Sequence, residues 1–228
     1  RMNSKAKPKQ FLELHGKPII IYTLKIFEDH PEVDKIVVVC LEEWIGYLNR
    51  LVESYNLNKI TAVISGGRNT QESQYKGLKE ICSWKETDNE TIVLVHDGVR
   101  PLVDPETITK NIESVKKYAS AITVTPAIET IIYVDKKEYI NDVIDRKQCR
   151  MAKAPQSFFA EELYKVHLQA IQDNKLDFID SACLLQDYGW KLHTVEGNKE
   201  NIKITTPVDF YLFRAITEAK ENSQIWGI

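Results

Sequence analysis

The sequence predicts an α/β fold in which strands and helices alternate around a mostly parallel sheet. Three observations carry this expectation. Residues 92–95 read Ile-Val-Leu-Val between polar Asn89-Glu90 and His96-Asp97-Gly98, the pattern of a strand buried on both faces. Strand-like runs at 36–41 and 59–64 are each followed by a stretch with apolar residues at helical spacing, which is how βαβ units read. The apolar run at 92–95 ends in His-Asp-Gly-Val-Arg-Pro, so a carboxylate, a glycine and a guanidinium stand where open α/β sheets hold their ligands.

Taken in order, Pro18 fits the first turn of a helix over 19–30, with Ile21, Leu24 and Ile26-Phe27 at helical spacing. After the strand at 36–41, a helix from Glu42 carries an apolar stripe of Trp44, Leu48, Leu51-Val52 and Tyr55. The strand at 59–64 runs into Ser65-Gly66-Gly67-Arg68, and a helix over 71–82 follows. Pro105 opens a helix to Tyr118, and 121–125 is a strand. There the alternation breaks. Two short strands, 130–134 and 139–144, flank the turn Asp135-Lys136-Lys137. This hairpin, within an arm at about 126–149, is an insertion in the α/β pattern. Helices return at 160–172 and 180–188, the second opened by Asp180-Ser181, which offers cap chemistry. A strand at 191–195 and a helix from Pro207 finish the chain. With no repeat, low-complexity tract or Pro/Gly-rich linker, residues 1–228 are expected to form one domain.

The composition narrows the classes. At 228 residues, 43% hydrophobic and 28% charged, the chain is ordinary for a globular protein able to bury a sizeable core. A formal net charge of -3 gives no reason to expect a nucleic-acid partner. No apolar run is long enough for a membrane span, and no signal-peptide pattern is present. Cys40, Cys82, Cys149 and Cys183 are far apart and make no metal-ligand spacing, as expected of reduced thiols in a cytoplasmic protein. Arg1, Lys5, Lys7 and Lys9 place four cations in nine residues; such a run is either a solvated tail or an arm that binds phosphate.

Five segments together carry a resemblance. They are Arg1-Met2 with Pro8-Lys9-Gln10-Phe11-Leu12; Gly66-Gly67 with Ser73 and Gly77-Leu78; Val95-His96-Asp97 with Arg100-Pro101; Ala154-Pro155-Gln156-Ser157-Phe158; and Glu196-Gly197 with Asn201-Ile202-Lys203. In this order and spacing the chain resembles the CTP-dependent polyol-phosphate cytidylyltransferases, which include the 2-C-methyl-D-erythritol 4-phosphate and ribitol-5-phosphate enzymes. Each motif alone is weak, and the five in register span most of the chain.

The resemblance implies a Rossmann-like nucleotidyltransferase fold and a homodimer built through the hairpin arm. It implies a first strand and a glycine-rich loop upstream of Arg1, of which Arg1-Met2 would be the close. It implies transfer of CMP from CTP to a polyol phosphate, with Mg²⁺ on the phosphates. The acceptor is read first as 2-C-methyl-D-erythritol 4-phosphate, of the isoprenoid precursor pathway, with D-ribitol 5-phosphate, for a wall or capsule polymer, as the alternative. By the same resemblance Arg1, Lys9 and Lys203 are catalytic. Gly66, Gly67, Ser73, Asp97 and Gly98 bind the nucleotide, with Asp97 also at the metal. Arg100, Thr130, Arg146 and Asp180 meet the second substrate. Several positions depart from the methylerythritol pattern: Gly98-Val99 replaces Ala-Ala, Glu129 stands for Asp, Ala154 for Thr, and Arg68 comes early after the glycine pair. Val99 and Trp44 are similar to the ribitol branch. A nucleotidyltransferase for another base or sugar, and a non-catalytic nucleotide-binding protein, are the other classes to be separated by assay.

Overall fold

The computed structural model describes residues 7–226. A single 3-10 turn at Lys9–Phe11 leads into a two-residue hairpin, β1 (Glu13–Leu14) and β2 (Lys17–Pro18). His15 and Gly16 turn it at φ 50° and 73°, the left-handed region where a glycine costs least. Pro18 stands at the N-cap of α1 (Ile19–Asp29). The helix buries Ile19, Ile20, Ile21, Leu24 and Phe27.

β3 (Ile36–Cys40) and β4 (Ile60–Ser65) pair in parallel, joined by a 3-10 turn at Glu42–Trp44 and by α2 (Ile45–Ser54). Trp44 lies in that turn rather than in the helix. Its ring stacks on Phe11 with centroids 4.8 Å apart, and Tyr47 meets both rings edge-on. This aromatic cluster ties the segment that carries Lys9 to the start of α2. Asn69 caps α3 (Thr70–Ile81) by accepting from the Glu72 N–H.

β5 (Ile92–Val95) matches the predicted strand, but its residues are half-buried and its one partner among the described residues is antiparallel. That partner is β9 (Arg150–Phe159), a ten-residue strand which no sequence pattern announced. β9 runs between β5 and β6 (Ser120–Pro126), antiparallel to both, while β10 (Thr194–Glu196) lies parallel to β6. The sheet order is β10-β6-β9-β5, with β3-β4 as a separate pair. α4 (Pro105–Tyr118) occupies the predicted span, capped by Asp104 and opened by Pro105. α5 (Ala160–Gln172), α6 (Ser181–Asp187) and α7 (Pro207–Trp226) complete the helices. Leu163, Val166 and Ala170 of α5 and Leu184 and Leu185 of α6 pack against Ile122, Val124 and Phe158 of the sheet.

The hairpin arm is present as β7 (Ile131–Val134) and β8 (Ile140–Ile144), inserted between β6 and β9. Its apolar side chains are uncovered: Tyr133, Tyr139 and Ile140 are 61%, 70% and 64% exposed.

Pro155 breaks the β6–β9 ladder, where the register shifts between Ile122 and Val124. It has no N–H to give, and its peptide bond to Ala154 is cis. A buried polar chain takes the place of the ladder there. The Thr123 hydroxyl donates to the Pro155 carbonyl (2.6 Å), Asn111 Nδ2 donates to Thr123 (2.9 Å), and the Ser157 hydroxyl donates to Asn111 Oδ1 (2.9 Å). Buried polar groups are tolerated when they are paired in this way. Gly197 closes against the same place: a Cβ there would lie 2.5 Å from Thr123 Cγ2, so only a glycine lets its N–H reach the Val124 carbonyl at 3.0 Å.

Candidate active site

At the C-terminal end of β5 the chain turns from His96 to Val103, and the Arg100 N–H donates to the Asp97 carbonyl at 3.0 Å. That turn brings the Arg100 guanidinium back onto Asp97, with Nε 2.8 Å from Oδ2. The other carboxylate oxygen, Oδ1, lies 2.8 Å from Lys203 Nζ. Lys203 belongs to a strap between β10 and α7, which crosses the turn where the Ile204 N–H donates to the Val99 carbonyl (2.9 Å). Asn201, fully buried, anchors the strap from below. Its Nδ2 donates to the Ala154 carbonyl of β9 (2.7 Å), and its N–H donates to Asn198 Oδ1 (2.6 Å). Three of the expected residues, Asp97, Arg100 and Lys203, are therefore in direct contact.

Burial pushes the Asp97 pKa upward, but Lys203 and Arg100 outweigh it and hold the carboxyl below its ordinary value. Asp97 is thus an anion bracketed by two cations. His96 beside it is pushed down to about 4, chiefly by burial and against the pull of Asp97, so it is a neutral imidazole at pH 7. Gly98 is not at positive φ; it lies against Ile20 (3.6 Å), and its carbonyl accepts from the Thr23 hydroxyl. The turn's conformation thus places no demand for a glycine.

Gly66, Gly67 and Ser73 form a second group, at the β4–α3 junction. The Gly67 N–H donates to Ser73 Oγ (2.9 Å), and that hydroxyl donates to the Asn69 carbonyl (2.9 Å). A Cβ on Gly67 would lie 2.4 Å from the Glu72 side chain, so this glycine serves close packing. Arg68 turns outward to Glu72, with Nε 3.0 Å from Oε2. Lys76 donates to the Gly66 carbonyl (2.8 Å).

Asp180 is at the α6 N-cap, with Oδ1 accepting from the Cys183 N–H (2.9 Å) and Oδ2 from Gln156 Nε2 (3.0 Å). Both oxygens have structural partners. Gln156 sits opposite Val95 in the β5–β9 ladder, which links Asp180 to the strand end that carries Asp97. Thr130 and Arg146 lie at the base of the arm, where Arg146 Nη1 donates to the Ile128 carbonyl (2.8 Å). Among the described residues no hydrogen bond or ion pair joins them to the Asp97 group. Lys9 lies in the 3-10 turn beside Phe11, and Lys7 pairs with Glu13 (2.6 Å). Arg1 lies outside the described residues.

Sequence reasoning missed Lys153 of β9, whose Nζ donates to the carbonyls of Lys199 (3.1 Å) and Asn201 (3.0 Å). It also missed the anchoring role of Asn201. No group of three or more metal-ligating side chains is found among the described residues. Among the described residues of the Asp97–Arg100–Lys203 group, Asp97 alone offers a carboxylate, a donor set that fits Mg²⁺ only where phosphate oxygens supply the remaining ligands. A hollow of about 440 Å³ lined by Ile26, His30, Pro105 and Thr109 contains none of these residues; converging charge marks the site. No helix among the described residues is long and apolar enough to cross a membrane.

Comparison with known proteins gives the same picture. A ribitol-5-phosphate cytidylyltransferase of Vibrio parahaemolyticus is 49% identical over 227 residues, covering 100% of this chain and 94% of that protein. A 2-C-methyl-D-erythritol 4-phosphate cytidylyltransferase of Clostridium novyi is 34% identical over 219 residues, covering 96% and 91%. The crystal structure of the Francisella tularensis 2-C-methyl-D-erythritol 4-phosphate cytidylyltransferase superposes with a TM-score of 0.77 at 33% identity, covering 92% of each chain. The family model described as IspD, 2-C-methyl-D-erythritol 4-phosphate cytidylyltransferase, matches residues 1–219, and the chain belongs to that family of cytidylyltransferases.

Proposed function

We propose that this protein transfers CMP from CTP to a polyol phosphate, giving a CDP-polyol and pyrophosphate. The observation that carries the reading is the Asp97 carboxylate held between Arg100 and Lys203 at a β-strand end. In the reaction a phosphate oxygen of the polyol phosphate bonds to the α-phosphorus of CTP. The bond from that phosphorus to its bridging oxygen breaks, and its electrons leave with pyrophosphate. Both reactants are anions, so the protein's task is to neutralise and position them. Lys203 and Lys9 hold phosphoryl oxygens, and Arg1 belongs with them. The attacking phosphate is already ionised and needs no general base, which agrees with a neutral, buried His96. Gly66, Gly67 and Ser73 border the cytosine. Mg²⁺, held by Asp97 and the phosphates, would draw charge from the phosphate oxygens.

D-ribitol 5-phosphate fits as the acceptor through the Vibrio parahaemolyticus enzyme named for it, which is 49% identical across this whole chain. 2-C-methyl-D-erythritol 4-phosphate fits equally, through the family model and the solved structures. The uncovered arm supports a homodimer in which Thr130 and Arg146 of one protomer serve the polyol-phosphate site of its partner.

The test is pyrophosphate release with CTP, UTP and ATP, each offered with both polyol phosphates in the presence of Mg²⁺. Turnover is expected with CTP and one polyol phosphate. Equal rates with UTP would remove the cytosine assignment, and no release from CTP with either acceptor would remove the reading.

A further inference from the structure

Lys153 is half-buried, has no carboxylate partner among the described residues, and directs its amine at main-chain carbonyls. The Asn201 carbonyl accepts from it and from Arg100 Nη1, each at 3.0 Å. Two cations thus share one oxygen. Burial lowers the Lys153 pKa first, and the Arg100 charge lowers it further. Such an arrangement costs free energy unless an anion offsets it. The protein's own anion here is Asp97, already bonded by Arg100 and Lys203, while Glu200 of the strap turns to Lys220 at 2.6 Å. One carboxylate therefore serves the two cations Arg100 and Lys203, and Lys153 adds a further positive charge beside Arg100 on the Asn201 carbonyl, an excess that the fold holds in place before any ligand arrives.

The position matters as much as the charge. Lys199 and Asn201 lie just before Ile202-Lys203 in the strap, with Glu200 between them, so a bridge across their carbonyls fixes the backbone from which Lys203 reaches Asp97. The same carbonyl receives Arg100, so the bridge also sets the guanidinium. Asn201 Nδ2 on the Ala154 carbonyl, one residue from Lys153, fastens the strap to β9 a second time. An ammonium has three donors, and two are used.

We propose that Lys153 is a positioning residue of the phosphate site: it clamps the strap that carries Lys203 and adds the third cation that a triphosphate or polyol phosphate meets. The proposal rests on the phosphate-transfer reading given above. It predicts that the amine's charge, and not only its bulk, sets the affinity for polyphosphate.

The experiment uses the full chain with inorganic tripolyphosphate as probe, measured by titration calorimetry at low salt. CTP turnover is followed in parallel. Lys153→Met removes charge and donors, Lys153→Gln removes charge but keeps a donor, and Lys153→Arg keeps the charge. The neutral variants are expected to bind tripolyphosphate about tenfold more weakly, as for a lost charged hydrogen bond. They should also lose at least as much in kcat/KM for CTP. Lys153→Arg should stay within about threefold of the native protein, and melting temperatures should agree. If Lys153→Met does not fold, Lys153→Gln gives the answer. Tripolyphosphate binding and turnover in Lys153→Gln equal to the native protein would overturn the proposal, as would a Lys153→Arg variant no better than the neutral ones. A native protein that binds tripolyphosphate in a Lys153-dependent way but releases no pyrophosphate from CTP would leave this clamp standing and remove the reaction.

Discussion

Asp97 Oδ1 lies 2.8 Å from Lys203 Nζ, and this contact joins the end of β5 to the strap before α7. Asp97 and Lys203 are 31% and 44% exposed, so in the ligand-free protein the pair is screened and its coupling should be modest, about 1 kcal/mol in a double-mutant cycle of Asp97→Asn and Lys203→Met. Activity should be far more sensitive. Lys203→Met removes a charge that opposes the one developing on the phosphoryl oxygens, and kcat should fall by about 10²–10³. A thermal melt and a pyrophosphate-release assay on the same samples separate the two effects. Activity within threefold of native in Lys203→Met would place this lysine outside the chemistry.

His167 gives a pH dependence with a definite sign. It is fully buried in α5, neither ring nitrogen has a partner among the described residues, and burial pushes its pKa down to about 4. The imidazole is neutral in the fold and has an ordinary value near 6.5 in the unfolded chain. Its contribution to stability is therefore complete above about pH 6.5 and is lost as pH falls towards 4. At pH 5 the loss should be about 2 kcal/mol relative to pH 7. His167→Leu keeps the apolar packing and should abolish that part of the acid sensitivity, read as the difference in urea midpoint between the two pH values. Equal acid losses in both proteins would show that His167 does not titrate as a buried group.

Gly197 and Thr123 make a steric pair. Gly197→Ala would set a Cβ 2.5 Å from Thr123 Cγ2 and disturb the hydroxyl that serves the Pro155 carbonyl. The expected cost is about 1–3 kcal/mol. Thr123→Ser deletes the obstructing methyl and keeps the hydroxyl, so the double variant should recover most of the loss. Additive destabilisation would mean that the strain lies elsewhere.

The helices were legible because their ends carry local chemistry. Pro105 starts α4 where it was expected, and α6 opens at the Asp180-Ser181 cap read from the sequence. β9 was not legible. Arg150-Met151-Ala152-Lys153 does not alternate, and Pro155 argues against an inner strand. Only Thr123, thirty-two residues earlier, supplies the hydrogen bond that makes the position tolerable. The site divides the same way. Asp97 and Arg100 share one turn and read as a motif, whereas Lys153 gains its meaning from the carbonyls of Lys199 and Asn201, which no spacing encodes.

Ile132, Tyr133, Val134, Tyr139, Ile140 and Val143 are each more than 40% exposed on a two-stranded hairpin, an element that is marginal without cover. A second copy of the chain would cover both arms at once in an isologous dimer, the commonest oligomer. Arg146 fixes the arm's base through the Ile128 carbonyl, so replacing it could act through the arm's shape or by removing a phosphate ligand. Mixing subunits addresses the geometry directly. Arg146→Ala and Lys9→Ala are each expected to be inactive alone. If the arm serves the partner's site, a heterodimer of the two has one site with native Lys9 and a native Arg146 reaching across, and one site lacking both. Activity should then recover towards half of the native value per heterodimer. Tyr139→Glu with Ile140→Lys, which place charge on the uncovered face, should give monomers by light scattering and no recovery. Demonstrated subunit exchange without recovery would mean that each chain builds its own site and that the arm serves assembly alone.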